Sequence, residues 1–428
     1  MVVVQLIELS WRIYLPAYFA TMTGLSLGAV GLLILAMRIF DSVIDPAIAW
    51  ASDRFPTRYG HRRPWMAASI APIVLGAAGL FFPWSWSGTA SLIACSLLMH
   101  LGFMMLVTPH GGWMLELSSD AGERLRIIAM RTWVAIAAML AVLALPAGLE
   151  RFAGADREGQ VAALGMALIV ACPAIVMLTL HAISEPPARP RAGADAMPPW
   201  RLFAVILKNR AMPPILLLYL CSGFGEAAAS ATFLFFVDDA LGLRGWGASL
   251  LLLQSAIALG VIPLWSLIAE RVGRGRLLAF VYGGQALVMP LALLLPARSM
   301  SAALMFVVVR GCFAGTDFLL LRVMVADIAR DGVDAGTRSG ASCYALSNIT
   351  LKIAMGLGAW VALWGIGGTV DAGLPAAVPE ADGQFAVRSA YCLPSLCAAL
   401  AALAILAARA AAPTPGRREG VSGRGQGR

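Results

Sequence analysis

Charge is the scarcest commodity in this chain. Asp, Glu, Lys and Arg make up 13% of its 428 residues, about half the ~25% of an ordinary soluble domain. Histidine occurs four times, and the seven cysteines stand inside apolar runs with no metal-ligand spacing. That argues against a zinc or disulfide framework and leaves the cysteines as small hydrophobes. His100 and His110 lie too far apart on one helix to form a zinc pair. The phosphate-binding pattern G-x-x-x-x-G-K-[ST] is missing, which excludes ATP-driven pumping by this chain. No His/Asp/Cys or Ser/Lys cluster falls at one depth, so the chain is not read as an enzyme, and no cofactor is implied. A basic leader is also missing, and Glu8 and Arg12 interrupt the first apolar run, so no cleavable signal is expected. The net charge of +8 is dispersed over short loops, so nucleic acid is not the expected partner.

What is present is apolar sequence. Hydrophobic residues make up 60% of the chain, and the mean hydropathy is +0.79. Runs of ~20 apolar residues recur along the whole length and do not alternate, which predicts membrane-spanning helices rather than a barrel. Twelve spans are expected: 2–23, 27–52, 64–83, 89–115, 126–149, 161–183, 211–237, 246–269, 276–296, 300–326, 339–367 and 385–409. Connections after even-numbered spans carry most of the arginines, among them Arg54, Arg62, Arg63, Arg124, Arg271 and Arg274. The opposite connections are poor in them and richer in acids. The asymmetry predicts both termini on the cytoplasmic side of a bacterial inner membrane.

The longest polar connection, 184–210, contains EPPARPRAGADAMPPW and separates a six-helix half (1–183) from a second one (211–410). A weak internal repeat supports this division, since Ala49–Arg54 is echoed by Ser266–Arg271. Parallel six-helix halves describe the major facilitator architecture, an all-α membrane fold. The Gly/Arg-rich tail, 411–428, is expected to be disordered.

The segment RIFDSVIDPAIAWASDRFPTRYGHRRPW (38–65) carries the densest chemistry. Arg38, Asp41 and Asp45 share one helix face. A carboxylate inside a bilayer costs on the order of 2.5–3.5 kcal/mol, so two of them call for a function. Pro46 lacks an N–H and crowds the carbonyl of Ser42, leaving a free oxygen beside the carboxylates. That set suits a small hard cation, or a single proton shared by like charges. The alternative is a structural ion pair with Arg38. Asp53, Arg54, Arg62 and Arg63 read as ion pairs that lock the cytoplasmic helix ends, as do Glu116, Asp120, Arg124 and Asp327 in the two matching loops.

Further charges lie inside the spans. Arg131 is either a solute contact or a snorkelling cation. Arg310 and Asp317 are seven residues apart and are expected to neutralise each other, with a solute contact as the alternative. Lys352 has no acid nearby in its own helix and needs a partner across the bundle, for which Asp41 and Asp45 are the economical candidates. Glu226 is unassigned, a gating or structural hydrogen bond and a solute contact being equal alternatives. Trp11, Tyr14, Tyr18, Trp113, Phe318 and Tyr344 are the aromatics available to stack on a sugar ring, although most aromatics in such spans serve packing.

The same segment resembles the second-helix signature of the glycoside–pentoside–hexuronide:cation symporters, the melibiose-permease type of sugar carrier in the major facilitator superfamily. ELSSDAGERLRIIAMR (116–131) is similar to that family's loop between helices four and five. MVADIARDGVDAGTRSGASCYALSNITLKIAMGLG (324–358) is similar to its helix ten–eleven segment, lysine included. The resemblance implies that Asp41 and Asp45 bind the coupling cation, and that Arg131, Lys352 and Phe318 line the central cavity. Three matched positions depart from the pattern. Gln5 stands where the family has a sugar-binding acid, Val107 where it has a second acid, and Ile44 where it often has an asparagine. Met104 likewise replaces a hydroxyl. These lost oxygens favour a proton over sodium as the coupling ion. Against the family pattern the chain also begins late, which implies a missing initial segment or a short first helix. The expectation is a monomeric, lipid-embedded symporter of a small organic solute, most simply a sugar or glycoside, with a monovalent cation. The rivals are a lipid or lysophospholipid carrier of the same fold and a membrane sensor that binds solute without flux.

Overall fold

The computed structural model describes residues 1–22, 25–54, 60–82, 88–117, 121–183, 209–334, 340–371 and 380–411, together with Thr57 and Leu207. All of the expected tail but Ala411 lies outside these residues, as does nearly all of the expected middle connection.

Twelve helical rods account for the described chain. The first, α1, runs as Val2–Leu9, a wide π turn at Ser10–Tyr14, and Leu15–Met22. The rest of the first half is α2 Leu27–Arg54, α3 Arg63–Phe81, α4 Thr89–Glu116, α5 Ala121–Phe152 and α6 Arg157–Ala182. The second half begins with α7, Met212–Phe235 prolonged by the π turn Phe236–Ala240, and α8 Gly247–Val272. It continues with α9 (Arg274–Val288 and Leu291–Leu294), α10 (Met300–Phe313 and Thr316–Asp334), α11 Gly340–Asp371 and α12 Glu380–Ala411. Eleven of these rods are long and apolar enough to cross a membrane. The first is divided by its π turn into pieces of eight residues at most.

Length and apolarity make these segments helices, because only intra-segment hydrogen bonds can satisfy a backbone in lipid. Local chemistry sets some ends. Asp156 caps α6 by accepting from the Gly159 N–H at 2.9 Å, and Pro64 sits just inside the start of α3. The break in α10 is made by Gly315, whose φ of 76° is cheap only for glycine.

Three helix pairs join the halves: α1 with α7, α2 with α11, and α5 with α8. Small residues allow α2 and α11 to approach closely. A Cβ on Gly31 would lie 2.9 Å from the Trp360 backbone, and one on Gly356 would lie 2.9 Å from Leu35. The buried core is unevenly distributed. One cluster joins both halves and draws its second-half members from the ends next to the 7–8 and 11–12 connections. The other, around Leu218, Leu278, Leu321 and Ala402, belongs to the second half alone. The halves are therefore packed together at one face.

That face is closed by polar contacts as well. Glu150, at the end of α5, accepts from the N–H groups of Ala248 and Ser249 (3.2 and 2.8 Å) and from the Ser249 hydroxyl (2.7 Å). It caps the first turn of α8 across the boundary between the halves. Beside it, Arg157 meets Asp238 at 2.6 Å, and the Arg151 guanidinium lies 3.6 Å from the Trp246 ring centre.

Candidate functional site: a charged relay between helices one, two, four and eleven

The signature of α2 opens into two adjoining charge clusters. In the first, Arg38 is held by Glu8 of α1 through two contacts of 3.0 and 3.4 Å. Its guanidinium stands 3.7 Å from Asp41, one turn along its own helix. Asp41 is fully buried, and its Oδ1 lies 2.9 Å from Nδ1 of His100 on α4. His100 is 1% exposed and packs edge-on against Trp11, with ring centres 4.6 Å apart. Trp11 belongs to the π turn of α1, a device that recurs at functional sites.

In the second cluster, Asp45 faces α4 and α11. Its Oδ1 accepts from the Thr108 hydroxyl at 2.9 Å, and its Oδ2 meets the Lys352 ammonium at 2.5 Å. Lys352 also lies 3.7 Å from the Met104 sulfur. Asp45 and Lys352 come from opposite halves, so this ion pair ties the halves together at a point where water still reaches. Their side chains are 32% and 19% exposed. Gly356, one turn beyond Lys352, provides the close helix approach that the pair requires.

Asp41 and Asp45 thus have separate counter-cations in this conformation and do not converge on one ligand. The alternative reading, a structural ion pair with Arg38, holds at 3.7 Å for Asp41 only, and Glu8 takes the shorter contacts of the guanidinium. Lys352 has found the carboxylate partner it needed. Sequence reading missed Glu8, His100 and Thr108. The signal for Glu8 was its cost inside an apolar run, with Arg12 one turn further on. His100 and Thr108 carry no such signal, since neutral polar residues are common in spans.

Other expected site residues lie elsewhere. Arg131 lines a separate pocket in the first half with Met1, His110 and Thr179. Tyr14 and Tyr18 are enclosed in the core at 0% and 2% exposure, so neither presents a ring to a cavity here. Phe318 is half-buried. The expected Arg310–Asp317 ion pair does not form, because the break at Gly315 interrupts the helix between them, although both line one pocket of the second half. Arg310 approaches Glu226 of α7 instead, at 3.8 Å.

Among the expected gating residues, Asp327 pairs with Arg274. Arg62 reaches the Pro109 carbonyl at 3.5 Å, and Arg63 donates to the Leu180 carbonyl. Arg54 lies over Trp50, 5.4 Å from the ring centre. Asp120 lies outside the described residues, as do the side chains of Asp53, Glu116 and Arg124. No group of three or more His, Cys, Asp or Glu that could hold a metal ion occurs among the described residues.

A bundle of two six-helix halves with a charged relay at their boundary is a major facilitator arrangement, and comparison with known proteins places the chain in that class. The family described as MFS/sugar transport protein matches residues 1–408, and the chain belongs to it. Within it, the similarity is to the glycoside–pentoside–hexuronide:cation symporter type.

The chain is 29% identical over 169 residues to the putative glycoside/cation symporter YagG of Escherichia coli strain K12, covering 39% of this chain and 36% of that one. It is 25% identical over 269 residues to the glucuronide carrier protein homolog of the same organism, covering 61% and 58%. The match therefore spans less than two thirds of either relative. The nucleoside transporter NupG shares the fold with a TM-score of 0.69 at 13% identity, over 95% of this chain and 96% of that one. The protein is a multi-pass membrane protein of a transporter family.

Proposed function

We propose that this protein is a cation-coupled symporter of a small, hydroxyl-bearing solute, a sugar or glycoside, in the bacterial inner membrane. The arginine asymmetry assigns both termini and the 184–210 connection to the cytoplasm. The closed face of the bundle is then periplasmic, and this conformation is open toward the cytoplasm.

The observation that carries the reading is the Asp45–Lys352 pair across the boundary between the halves. While Asp45 is ionised, it holds Lys352 and ties α2 to α11. A cation on Asp45 removes that attraction and frees the ammonium to donate to an oxygen of the solute. Occupancy at Asp45 and solute affinity are then linked, and the linkage is reciprocal. The solute would sit in the cavity between the halves that Arg12, Gln254, Glu226 and Arg310 line.

A proton is the favoured coupling ion. Sodium wants several hard oxygens, as other hard cations do. Asp41 is sealed between Arg38 and His100 and cannot turn toward a shared metal site. Asp45 offers one carboxylate and the Thr108 hydroxyl. A proton needs only the carboxylate. The lipid-carrier alternative is not favoured, since the two relatives whose descriptions name a solute are a putative glycoside/cation symporter and a glucuronide carrier homolog.

The test is uptake into proteoliposomes under a pH gradient alone or a sodium gradient alone, with glycosides and pentoses as solutes. Accumulation driven by the pH gradient supports the reading. Accumulation driven by sodium and indifferent to pH would replace the proton. Downhill flux that neither gradient alters would contradict coupling.

A further inference from the structure

The second half holds a polar pocket that the relay does not use. α7 lines it with Ser222 and Glu226, α9 with Tyr282 and Gln285, and α10 with Arg310 and Asp317. Asp317 is 3% exposed, and its Oδ1 has no hydrogen-bond partner. No basic side chain among the described residues comes within ion-pair distance of it. The nearby Ser222 hydroxyl is shared with Tyr282 at 2.7 Å.

Glu226 accepts from Ser230 at 3.1 Å and faces Arg310 only at 3.8 Å, longer than a hydrogen bond. Arg310 makes no side-chain hydrogen bond among the described residues and lies 5.5 Å from the Tyr391 ring centre. Glu226 and Arg310 also line the cavity between the halves, where Gln254 is 6% exposed with an unpartnered Oε1. The two pockets therefore share a wall. Two buried acceptors and a loosely held guanidinium face them. Unmet buried polar atoms are costly, and ones that line a cavity point to a missing partner.

We propose that this pocket is the second half's subsite for the solute, and that it takes an uncharged, hydroxyl-rich part of the molecule. Asp317 and Gln254 accept from its hydroxyls, and Arg310 donates to its oxygens. The lining disfavours an anion, since a carboxylate would face both Glu226 and Asp317, and an ammonium would have to compete with Arg310 for Glu226. A hydroxyl both donates and accepts, which suits a wall that mixes the two. The proposal rests on the symporter reading above and adds residues that recognise the solute, separate from the coupling pair.

The test is equilibrium binding to the purified full-length protein, read by thermal shift and by counterflow in liposomes. The probes are xylose, methyl glucoside and myo-inositol as neutral polyols, methyl glucuronide as an anion, and choline as a cation. At least one neutral polyol is expected to bind. Asp317→Asn and Glu226→Gln should each weaken that binding about tenfold, with the unliganded melting temperature kept.

Wild-type affinity in both pocket variants would remove the subsite and leave the symporter reading standing. Binding of choline or the glucuronide alone would overturn the neutral-group assignment. If no probe binds the wild-type protein, the sugar reading itself fails, and the subsite fails with it.

Discussion

The relay around α2 and the pocket in the second half handle buried charge in opposite ways. In the relay, each carboxylate stands within ion-pair distance of a base, Glu8 and Asp41 of Arg38 and Asp45 of Lys352, although Asp41 Oδ2 and His100 Nε2 make no hydrogen bond. In the pocket, Arg310 meets Glu226 at 3.8 Å and Asp317 has no cation among the described residues. A network of paired charges sets a resting conformation and changes only when an ion competes for one of its members. An unpaired buried carboxylate waits for a ligand. The contrast separates a coupling device from a recognition device, and it can be tested by removing one charge at a time.

The largest difference concerns stability. Lys352→Ala strands Asp45 between the halves and is expected to cost about 2 kcal/mol, below the buried-pair range because water reaches both side chains. Adding Asp45→Asn should restore most of that loss. Asp317→Asn strands nothing and should leave stability unchanged. Thermal unfolding in detergent compares the three, and equal losses at Lys352 and Asp317 would erase the contrast.

A smaller effect is expected at the other end of the relay. Glu8→Gln leaves Arg38 with the longer contact to Asp41 as its only ion pair and should cost about 1.5 kcal/mol, reduced from the buried-pair range because Glu8 is partly exposed and the amide oxygen still accepts a hydrogen bond. Unfolding in the same detergent reads it, and no change would mean that water already serves Arg38.

The smallest concerns the closed face. Arg157→Ala removes a half-buried pair worth about 1 kcal/mol, which is about a fivefold shift in an opening equilibrium. An engineered cysteine at Ser255, in the cavity between the halves, should then label about fivefold faster from outside intact cells. Slower or unchanged labelling would show that Glu150 and the shared core alone keep that face shut.

Most of the architecture was legible in the sequence. Apolar runs of spanning length and arginine-rich alternate loops lead directly to twelve rods in two halves, because lipid leaves a polypeptide few alternatives. The expected start of the fifth span, at 126, lies inside α5, which begins at Ala121. Charged sequence there continues the helix instead of starting a loop. The relay was legible in part. Asp41, Asp45 and Lys352 stand out because a charge in a span is expensive. His100 and Thr108 do not, because nothing in their own helix marks them as partners. The error at Arg310 and Asp317 has a local cause. A seven-residue spacing implies a shared face only along an unbroken helix, and the Gly311 and Gly315 that flank Cys312–Ala314 were read through as if the helix continued.

The most direct measurement separates exchange from accumulation in Asp45→Asn. An amide at this position cannot titrate, so Lys352 is no longer under the control of an ion while the solute pockets keep their residues. Proteoliposomes containing the variant are expected to support solute counterflow and to lose uphill accumulation under a pH or sodium gradient. Accumulation at the wild-type level in the same vesicles would contradict the assignment of Asp45 as the coupling carboxylate.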